Sequence, residues 1–76
     1  MNNPEKILVF KTNLESAEGI ERIRPILDDH PEILKWNVDQ WDIDNVLRVV
    51  VCPPFGPSAV IELVRNGGFD CAELAD

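Results

Sequence analysis

Two hydrophobic periods alternate along the chain and divide it into strands and helices. Residues 7–10 are all apolar and lie between Lys6 and Lys11, a run typical of a strand inside a sheet. From Ser16 the period changes to three or four residues, which predicts an amphipathic helix with Ser16 as its N-cap. The apolar side of this helix consists of Ile20, Ile23 and Leu27.

This predicted first helix contains one proline and ends before another. Pro25 lacks a backbone N–H and removes one helical hydrogen bond, so we expect a kink or a locally opened last turn. A residue that precedes a proline avoids helical backbone angles, and Pro31 therefore places the end of the helix within residues 28–31.

The next two apolar segments predict a hairpin. Leu34, Trp36 and Val38 alternate with polar residues, which indicates a half-buried strand. Residues 46–52 are almost all apolar and indicate a second strand, and a polar loop connects the two.

The last third of the chain predicts a connector, a helix and a short strand. Residues 53–57 contain three prolines and predict a stiff connector with no helix in it. We expect Ser58 to cap a second helix that ends at residues 66–68, where two glycines follow an asparagine. Residues 69–74 then supply a closing strand.

The element order is strand, helix, strand, strand, helix, strand. Two right-handed crossovers around one hairpin give an α+β fold, the ferredoxin-like βαββαβ split sandwich. Its sheet is antiparallel in the order 4-1-3-2, and both helices lie on one face. The prediction is a single domain of residues 1–76, in which residues 1–5 form a loose polar lead.

Composition and charge narrow the partner classes. The 76 residues are 45% hydrophobic and 28% charged, which is typical of a globular domain. Fourteen acidic residues against seven basic ones give a net charge of −7, which disfavours nucleic acids and anionic membranes as partners. No apolar run approaches the roughly 18–20 residues that span a bilayer, and no signal peptide opens the chain. We therefore expect a cytoplasmic protein.

Four short stretches occur in an order and spacing that point to a known family. They are residues 10–13 at the end of the first strand, 20–25 in the first helix, 36–39 entering the hairpin and 66–69 before the last strand. Together they resemble the small heavy-metal-associated domain, the fold of bacterial copper chaperones and of the N-terminal modules of copper-pumping ATPases. The resemblance covers nearly the whole chain.

The resemblance implies where a metal site would lie. Members that carry metal have a C-x-x-C pair at the junction of the first loop and first helix, where two thiolates bind Cu(I). The flanking residues place these two positions at Ser16 and Gly19, and an alignment on Thr12 alone places them at Asn13 and Ser16. No thiolate occurs at any of these positions, and a serine hydroxyl does not replace one for Cu(I). We therefore expect no metal at this site and no cofactor.

Three other residues are candidates for metal binding. Cys52 and Cys71 are expected on two strands that flank the first strand, about 9–10 Å apart sideways, too far for a disulfide. Both are interpreted as structural cysteines that are buried or half-buried. His30 is interpreted as a solvated histidine at a helix end, because no second nitrogen or sulfur ligand lies near it in sequence.

The hairpin loop is acidic and contains a tryptophan. Asp39, Asp42 and Asp44 lack the ligand ladder of a calcium loop, so we interpret them as solvated, with a docking patch for a basic partner as the alternative. We expect Trp36 to pack beneath the helices. Trp41 is expected to fold back over the sheet edge, and the alternative is an exposed contact residue.

The open face of the sheet is a second candidate for contacts. If Lys11 and Arg48 point outward, then Ile7, Val9 and Val50 also point away from the helices, with Cys52 beside them. This apolar strip predicts docking of a second copy or of a partner protein.

No set of residues predicts catalysis, because the chain has one histidine, no tyrosine and no glycine-rich phosphate loop. The leading hypothesis is a non-enzymatic domain of this family type that binds proteins. Its candidate contact residues, besides the open face, are Thr12, Asn13, Leu14, Glu15 and Trp41. The alternatives are a metal chaperone or metal sensor that uses Cys52 or Cys71 across a dimer, or His30 with carboxylates, and a domain regulated by a small molecule.

Overall fold

In the computed structural model, which describes residues 5–74, strands and helices follow one another in the predicted order. The elements are β1 (Lys6–Thr12), α1 (Ala17–Asp28), β2 (Ile33–Asp39), β3 (Val46–Val51), α2 (Pro57–Asn66) and β4 (Cys71–Glu73). Of the predicted polar lead, residues 1–4 lie outside the described residues, as do residues 75 and 76 at the other terminus.

The four strands form one sheet in the order β2-β3-β1-β4, and each neighbouring pair is antiparallel. This is the predicted order 4-1-3-2 counted from the other edge, so the ferredoxin-like fold is confirmed. It leaves the first strand in the centre and brings the ends of β1 and β2 and the starts of β3 and β4 to one edge of the molecule.

The alternation of β3 separates the two faces of the sheet. Leu47, Val49 and Val51 are fully buried beneath the helices, whereas Arg48 is exposed and Val50 half-buried on the other face. The core is completed by fully buried side chains from β1 and from both helices, namely Phe10, Ile23, Leu27, Val60 and Val64. Both helices therefore cover the same face, and the other face is open.

Helix α1 begins where the sequence predicts. The hydroxyl of Ser16 accepts a hydrogen bond from the backbone N–H of Gly19 at 3.2 Å, which confirms the predicted N-cap. The helix continues through Pro25 to Asp28, and the N–H of Asp29 donates to the carbonyl oxygen of Pro25 at 3.1 Å. The last turn is therefore closed, so the expected opening is wrong, and the alternative of a kink at Pro25 stays a prediction.

Helix α2 begins earlier than predicted. Gly56 is its N-cap without a side-chain hydrogen bond, and Pro57 is its first residue, so the predicted cap at Ser58 is wrong. Proline suits this position because its fixed φ is helical and its missing N–H has no partner in the first turn. The predicted end is confirmed, with Gly67 as the C-cap and Gly68 at φ +95°, a backbone conformation that favours glycine.

Strand β2 contains a bulge that the alternating pattern did not predict. Ile33 and Lys35 are two residues apart but pair with consecutive residues of β3, Val51 and Val50. The extra residue, Leu34, is 49% exposed and does not take the half-buried position predicted for it.

Two other strands are shorter than predicted. β3 ends at Val51, so Cys52 lies just outside it, and the N–H of Cys52 donates to the carbonyl oxygen of Glu32 at 2.8 Å. β4 spans only three residues, because the N–H of Phe69 is taken by the carbonyl oxygen of Val64 at the end of α2.

Candidate functional site

Three loops meet at one end of the sheet. They are the β1–α1 loop (residues 13–16), the β2–β3 hairpin tip (residues 40–45) and the α2–β4 loop (residues 67–70). The N–H of Thr12 donates to the carbonyl oxygen of Asp44 at 3.0 Å, and the N–H of Asp70 donates to Asn13 Oδ1 at 2.8 Å. These bonds join all three loops into one surface, which we call the loop end.

The two positions that the family resemblance assigns to metal ligands have structural roles here. Ser16 caps α1 with its hydroxyl, as described above. Gly19 is buried, and a Cβ atom added there would lie 3.2 Å from Phe69 Cε1, which is closer than an ordinary contact. A hydroxyl and a hydrogen atom therefore occupy the positions where two thiolates would be required.

Asn13, the ligand position in the other alignment, is also used internally. Its Oδ1 accepts the hydrogen bond from Asp70 and so ties the β1–α1 loop to the start of β4. An amide oxygen is a hard donor and a poor ligand for a soft cation such as Cu(I). Neither alignment thus presents a soft-metal ligand pair.

Two of the predicted contact residues lie inside the fold. Leu14 is fully buried and Thr12 is 7% exposed. The Thr12 hydroxyl donates to the carbonyl oxygen of Asn45 at 2.6 Å and accepts from the N–H of Leu14 at 3.1 Å. Their side chains hold the loop end together and are not available to a partner. Asn13 and Glu15 are exposed, and the predicted contact through this loop is limited to them.

The two thiols lie at opposite ends of the sheet. Cys71 pairs with Thr12 at the loop end, whereas Cys52 follows Val51, which pairs with Lys6 at the other end of β1. The six residue steps from Lys6 to Thr12 add about 20 Å along the strand to the predicted sideways distance. The two cysteines cannot bind one ion within a single chain.

Cys71 is also a poor metal ligand in its present environment. It is buried with only 3% of its surface exposed, and this burial raises the pKa of its thiol to about 11. The thiol is therefore protonated near neutral pH, whereas soft metals bind the thiolate. Cys52 is half-buried, so both cysteines have the burial predicted for structural residues.

His30 is less solvated than predicted. Its ring lies 5.6 Å from the ring of Phe55 and is half-buried, and its Nδ1 is 3.9 Å from Glu32 Oε1. Within residues 5–74, no group of three or more His, Cys, Asp or Glu side chains is arranged to hold a metal ion.

The hairpin tip presents two large apolar side chains to solvent. Trp41 is 98% exposed, so the prediction that it folds back over the sheet edge is wrong. Ile43 is 93% exposed and was not among the predicted contact residues, although an isolated isoleucine between two aspartates in a loop is a usable signal. Together they form an apolar knob at the loop end.

The backbone of the tip is held by its own aspartates. Asp39 Oδ1 accepts from the N–H of Trp41 at 3.1 Å, and Asp42 Oδ1 accepts from the N–H of Asp44 at 2.9 Å. Asn45 takes φ 46°, a left-handed conformation that asparagine tolerates, and its carbonyl oxygen accepts the bond from Thr12. The knob is thus fixed in place rather than carried by a loose loop.

The open face lies where the sequence predicts. Ile7 is 68% exposed and pairs with Val50, and Val9 pairs with Arg48. The neighbouring residues of β2 on this face are polar, with Lys35 opposite Val50 and Asn37 opposite Arg48. The result is an apolar strip of Ile7, Val9 and Val50 with three basic side chains beside it, those of Lys11, Lys35 and Arg48.

A groove along the edge strand β2 contains the second tryptophan. Trp36 is half-buried at the edge of the helices, its Nε1–H donates to Asp28 Oδ1 at 2.8 Å, and the Arg24 guanidinium lies 5.5 Å from the ring centroid. The groove has a volume of about 410 Å³ and opens beside Leu34 and Val38. The prediction that Trp36 packs beneath the helices is therefore only partly confirmed.

No protein-family model matches the sequence, and the search of curated proteins found no match. Solved structures are similar in fold. The yeast copper transporter domain Ccc2a is 17% identical with a TM-score of 0.76, over 92% of this chain and 96% of that one. The water-soluble region of the P-type ATPase CopA from Bacillus subtilis is 20% identical with a TM-score of 0.80, over 93% of this chain and 47% of that one. The Atx1-Cu(I)-Ccc2a complex contains a domain that is 17% identical with a TM-score of 0.77, over 92% of this chain and 96% of that one.

Among the described residues, no helix is both long and apolar enough to cross a bilayer. The similar structures are a copper transporter domain and the water-soluble region of a P-type ATPase. At 20% identity or less, this likeness establishes that the chain has the fold of the heavy-metal-associated domains, and it leaves the activity to be argued from the residues of the site.

Proposed function

We propose that this chain is a non-enzymatic domain of heavy-metal-associated fold that lacks a thiolate metal site and acts by binding another protein. The observation that carries the proposal is the use of Ser16 as the helix cap, with Gly19 packed against Phe69 one turn later. A capping hydroxyl and a glycine offer Cu(I) no sulfur, and Cu(I) selects sulfur ligands.

A protein-binding role is supported by what the loop end presents instead. Asn13, Glu15 and Trp41 are exposed there, and Trp41 has the size and rigidity of a typical interface anchor. The similar domain Ccc2a forms a complex with Atx1, so this fold supports contacts between domains. In that complex Cu(I) is present, whereas the contacts proposed here need no metal.

The fold of the similar copper-binding domains favours one competing function, a metal chaperone or sensor with unusual ligands. Its candidate ligands are Cys52, Cys71 and His30. Because the two thiols lie at opposite ends of the sheet, such a site would need two chains or would rely on one cysteine with weak oxygen donors. The raised pKa of Cys71 further weakens this ligand set.

The test is the metal content of the chain purified after expression in medium supplemented with copper and zinc. We expect far less than one equivalent of either metal after exhaustive dialysis. One tightly held metal per chain contradicts the proposal. If metal is found, Cys52→Ser and Cys71→Ser identify its ligands, because loss of binding in either variant supports the chaperone or sensor function.

A further inference from the structure

Two surfaces of this chain are apolar in the centre and opposite in charge at the rim. The first is the knob of Trp41 and Ile43, which is flanked by Asp39, Asp42 and Asp44 with no basic residue between residues 39 and 44. The second is the apolar strip of Ile7, Val9 and Val50. Each is the kind of surface that a protein rarely leaves bare.

The rim of the apolar strip is basic, although the chain as a whole is acidic. Three of the seven basic residues, Lys11, Lys35 and Arg48, lie on the open face, which follows from the strand register. On the described strands, the only carboxylate of this face is Asp39 at its loop end. Lys11 Nζ lies 3.8 Å from Asp44 Oδ1 of the same chain, so its charge is already paired. Among residues 5–74, neither Lys35 nor Arg48 lies within 4.0 Å of a carboxylate, so these two charges are the ones available to a partner.

The two surfaces also match in size. Neighbouring strands are about 4.8 Å apart, and alternate residues of a strand are about 7 Å apart, so the strip offers an apolar patch comparable with an indole ring. A tryptophan placed on it would leave the aspartates of the tip close to Arg48 and Lys35.

A chain cannot make this contact with itself. The tip lies beyond Asp39, at the end where β1 finishes, whereas Ile7 lies near the start of β1. The tip is also fixed by its bonds to Thr12, and Trp41 is almost fully exposed. The contact therefore joins two molecules.

We infer that the partner of the knob is the open sheet face of a second copy of this chain, so that two copies stack face to face and antiparallel. In this arrangement each tip lies over the Ile7 end of the other sheet, and one two-fold axis forms both contacts at once. The inference rests on the proposed function, because it names the partner that the loop end binds.

The net charge limits the strength of the dimer but does not prevent it. Two chains of charge −7 repel one another, yet at physiological ionic strength charges more than about 8 Å apart are largely screened. The two charges of each proposed ion pair are closer together than this distance, so salt screens their attraction less. Because the interface is small, we expect a reversible dimer that forms in the micromolar to millimolar range.

Sedimentation velocity from about 10 µM to 1 mM tests the inference. We expect the mean mass to rise toward that of a dimer, and we expect Trp41→Ser to weaken the dimer about 10-fold or more, because an anchoring tryptophan is removed without loss of the backbone bonds of the tip. A wild-type chain that stays monomeric at 1 mM overturns the inference. The proposed function does not fall with it, since the metal content is measured independently.

A charge exchange identifies the two surfaces. Asp44→Arg and Arg48→Asp should each weaken the dimer, and the Asp44 side chain makes none of the hydrogen bonds that fix the tip backbone. An equimolar mixture of the two variants should restore the dimer, because the altered tip then meets the altered face. Glu62→Arg and Arg22→Asp change the net charge equally on exposed helix positions and serve as controls without effect. Weakening by Trp41→Ser without rescue in the mixture contradicts the assigned face.

Fluorescence separates a second copy from a lipid surface. In Trp36→Phe, Trp41 is the only indole, and its emission should shift to the blue as protein concentration rises. Uncharged phosphatidylcholine vesicles added at low micromolar protein should cause no shift. A shift on vesicles with none on self-concentration would assign the knob to membranes and overturn the inference.

Discussion

The β1–α1 loop and the hairpin tip lie side by side, yet they use their side chains in opposite ways. The β1–α1 loop turns its apolar residue, Leu14, into the core and uses Asn13 and Ser16 in internal hydrogen bonds. The hairpin tip uses its aspartates to fix its backbone and turns Trp41 and Ile43 outward. The side chains of the β1–α1 loop therefore stabilise the fold, whereas the exposed side chains of the hairpin tip are available to bind a partner.

The largest effect on stability is expected in the β1–α1 loop, because its apolar side chain is buried. Leu14→Ala should lower the free energy of unfolding by about 2–5 kcal/mol, because a fully buried leucine leaves a cavity between the loop and the core. Urea denaturation followed by circular dichroism measures the change. A loss below about 1 kcal/mol would mean that the loop is not packed as described.

The next effect concerns the thiol buried beside the same loop. Because the pKa of Cys71 is raised to about 11 in the folded chain, its contribution to stability is present below the unfolded pKa, near 9, and is lost as the pH rises through 11. Relative to Cys71→Ser, the wild-type chain should lose about 2 kcal/mol of unfolding free energy between pH 8.5 and pH 11.

Cysteine labelling provides a second measure of that burial. At pH 8 a thiol reagent should modify half-buried Cys52 well before Cys71. Equal labelling rates for the two cysteines in peptide mass spectra would contradict the burial of Cys71. In the stability measurement, a difference in unfolding free energy between the wild-type chain and Cys71→Ser that does not change with pH would contradict the raised pKa of Cys71.

The two serines at the starts of the helices give a smaller and matched pair of effects. Ser16→Ala should cost about 1 kcal/mol of unfolding free energy, because the N–H of Gly19 loses its partner. Ser58→Ala should change it by less than about 0.5 kcal/mol, since Ser58 is exposed and does not cap α2. Equal losses in thermal or urea unfolding would restore the capping role that the sequence predicted for Ser58.

The smallest effect on stability is expected at the tip. Trp41→Ser should change the unfolding free energy of the monomer by less than about 0.5 kcal/mol, because the ring has almost no contacts within the chain. The unfolding free energy should be measured at low micromolar protein concentration, where dimers are rare. A loss above 1 kcal/mol would mean that the ring packs on the fold and is not a free contact residue.

The fold was predictable because its elements have clear periods. The apolar run of residues 7–10 indicates a strand, the spacing of Ile20, Ile23 and Leu27 indicates a helix, and the order of elements then leaves few topologies. Ser16 is predictable as a cap because a residue with a hydroxyl directly precedes the helical period. The start of α2 was missed because Pro57 was assigned to the connector, although proline is common at the first helical position.

The site was less predictable because its details depend on tertiary contacts. The bulge at Leu34 leaves no mark in an alternating pattern, and the hydrogen bond between Asn13 and Asp70 joins residues 57 apart in sequence. Exposure of Trp41 depends on whether the tip can reach the sheet edge, which the aspartate bonds of the tip decide. Sequence alone therefore identified several residues of the loop end but not Ile43, and it did not show which of them face solvent.

The central claim is that the β1–α1 loop lacks soft-metal ligands, and a Cu(I) titration against a chromogenic chelator tests it most directly. The wild-type chain is compared with the double variant Ser16→Cys/Gly19→Cys, which supplies two thiols at the implied positions, and with Asn13→Cys/Ser16→Cys for the other alignment. We predict that the wild-type chain takes no Cu(I) from the chelator, whereas one of the double variants removes one equivalent. Removal of one equivalent by the wild-type chain itself would contradict the account.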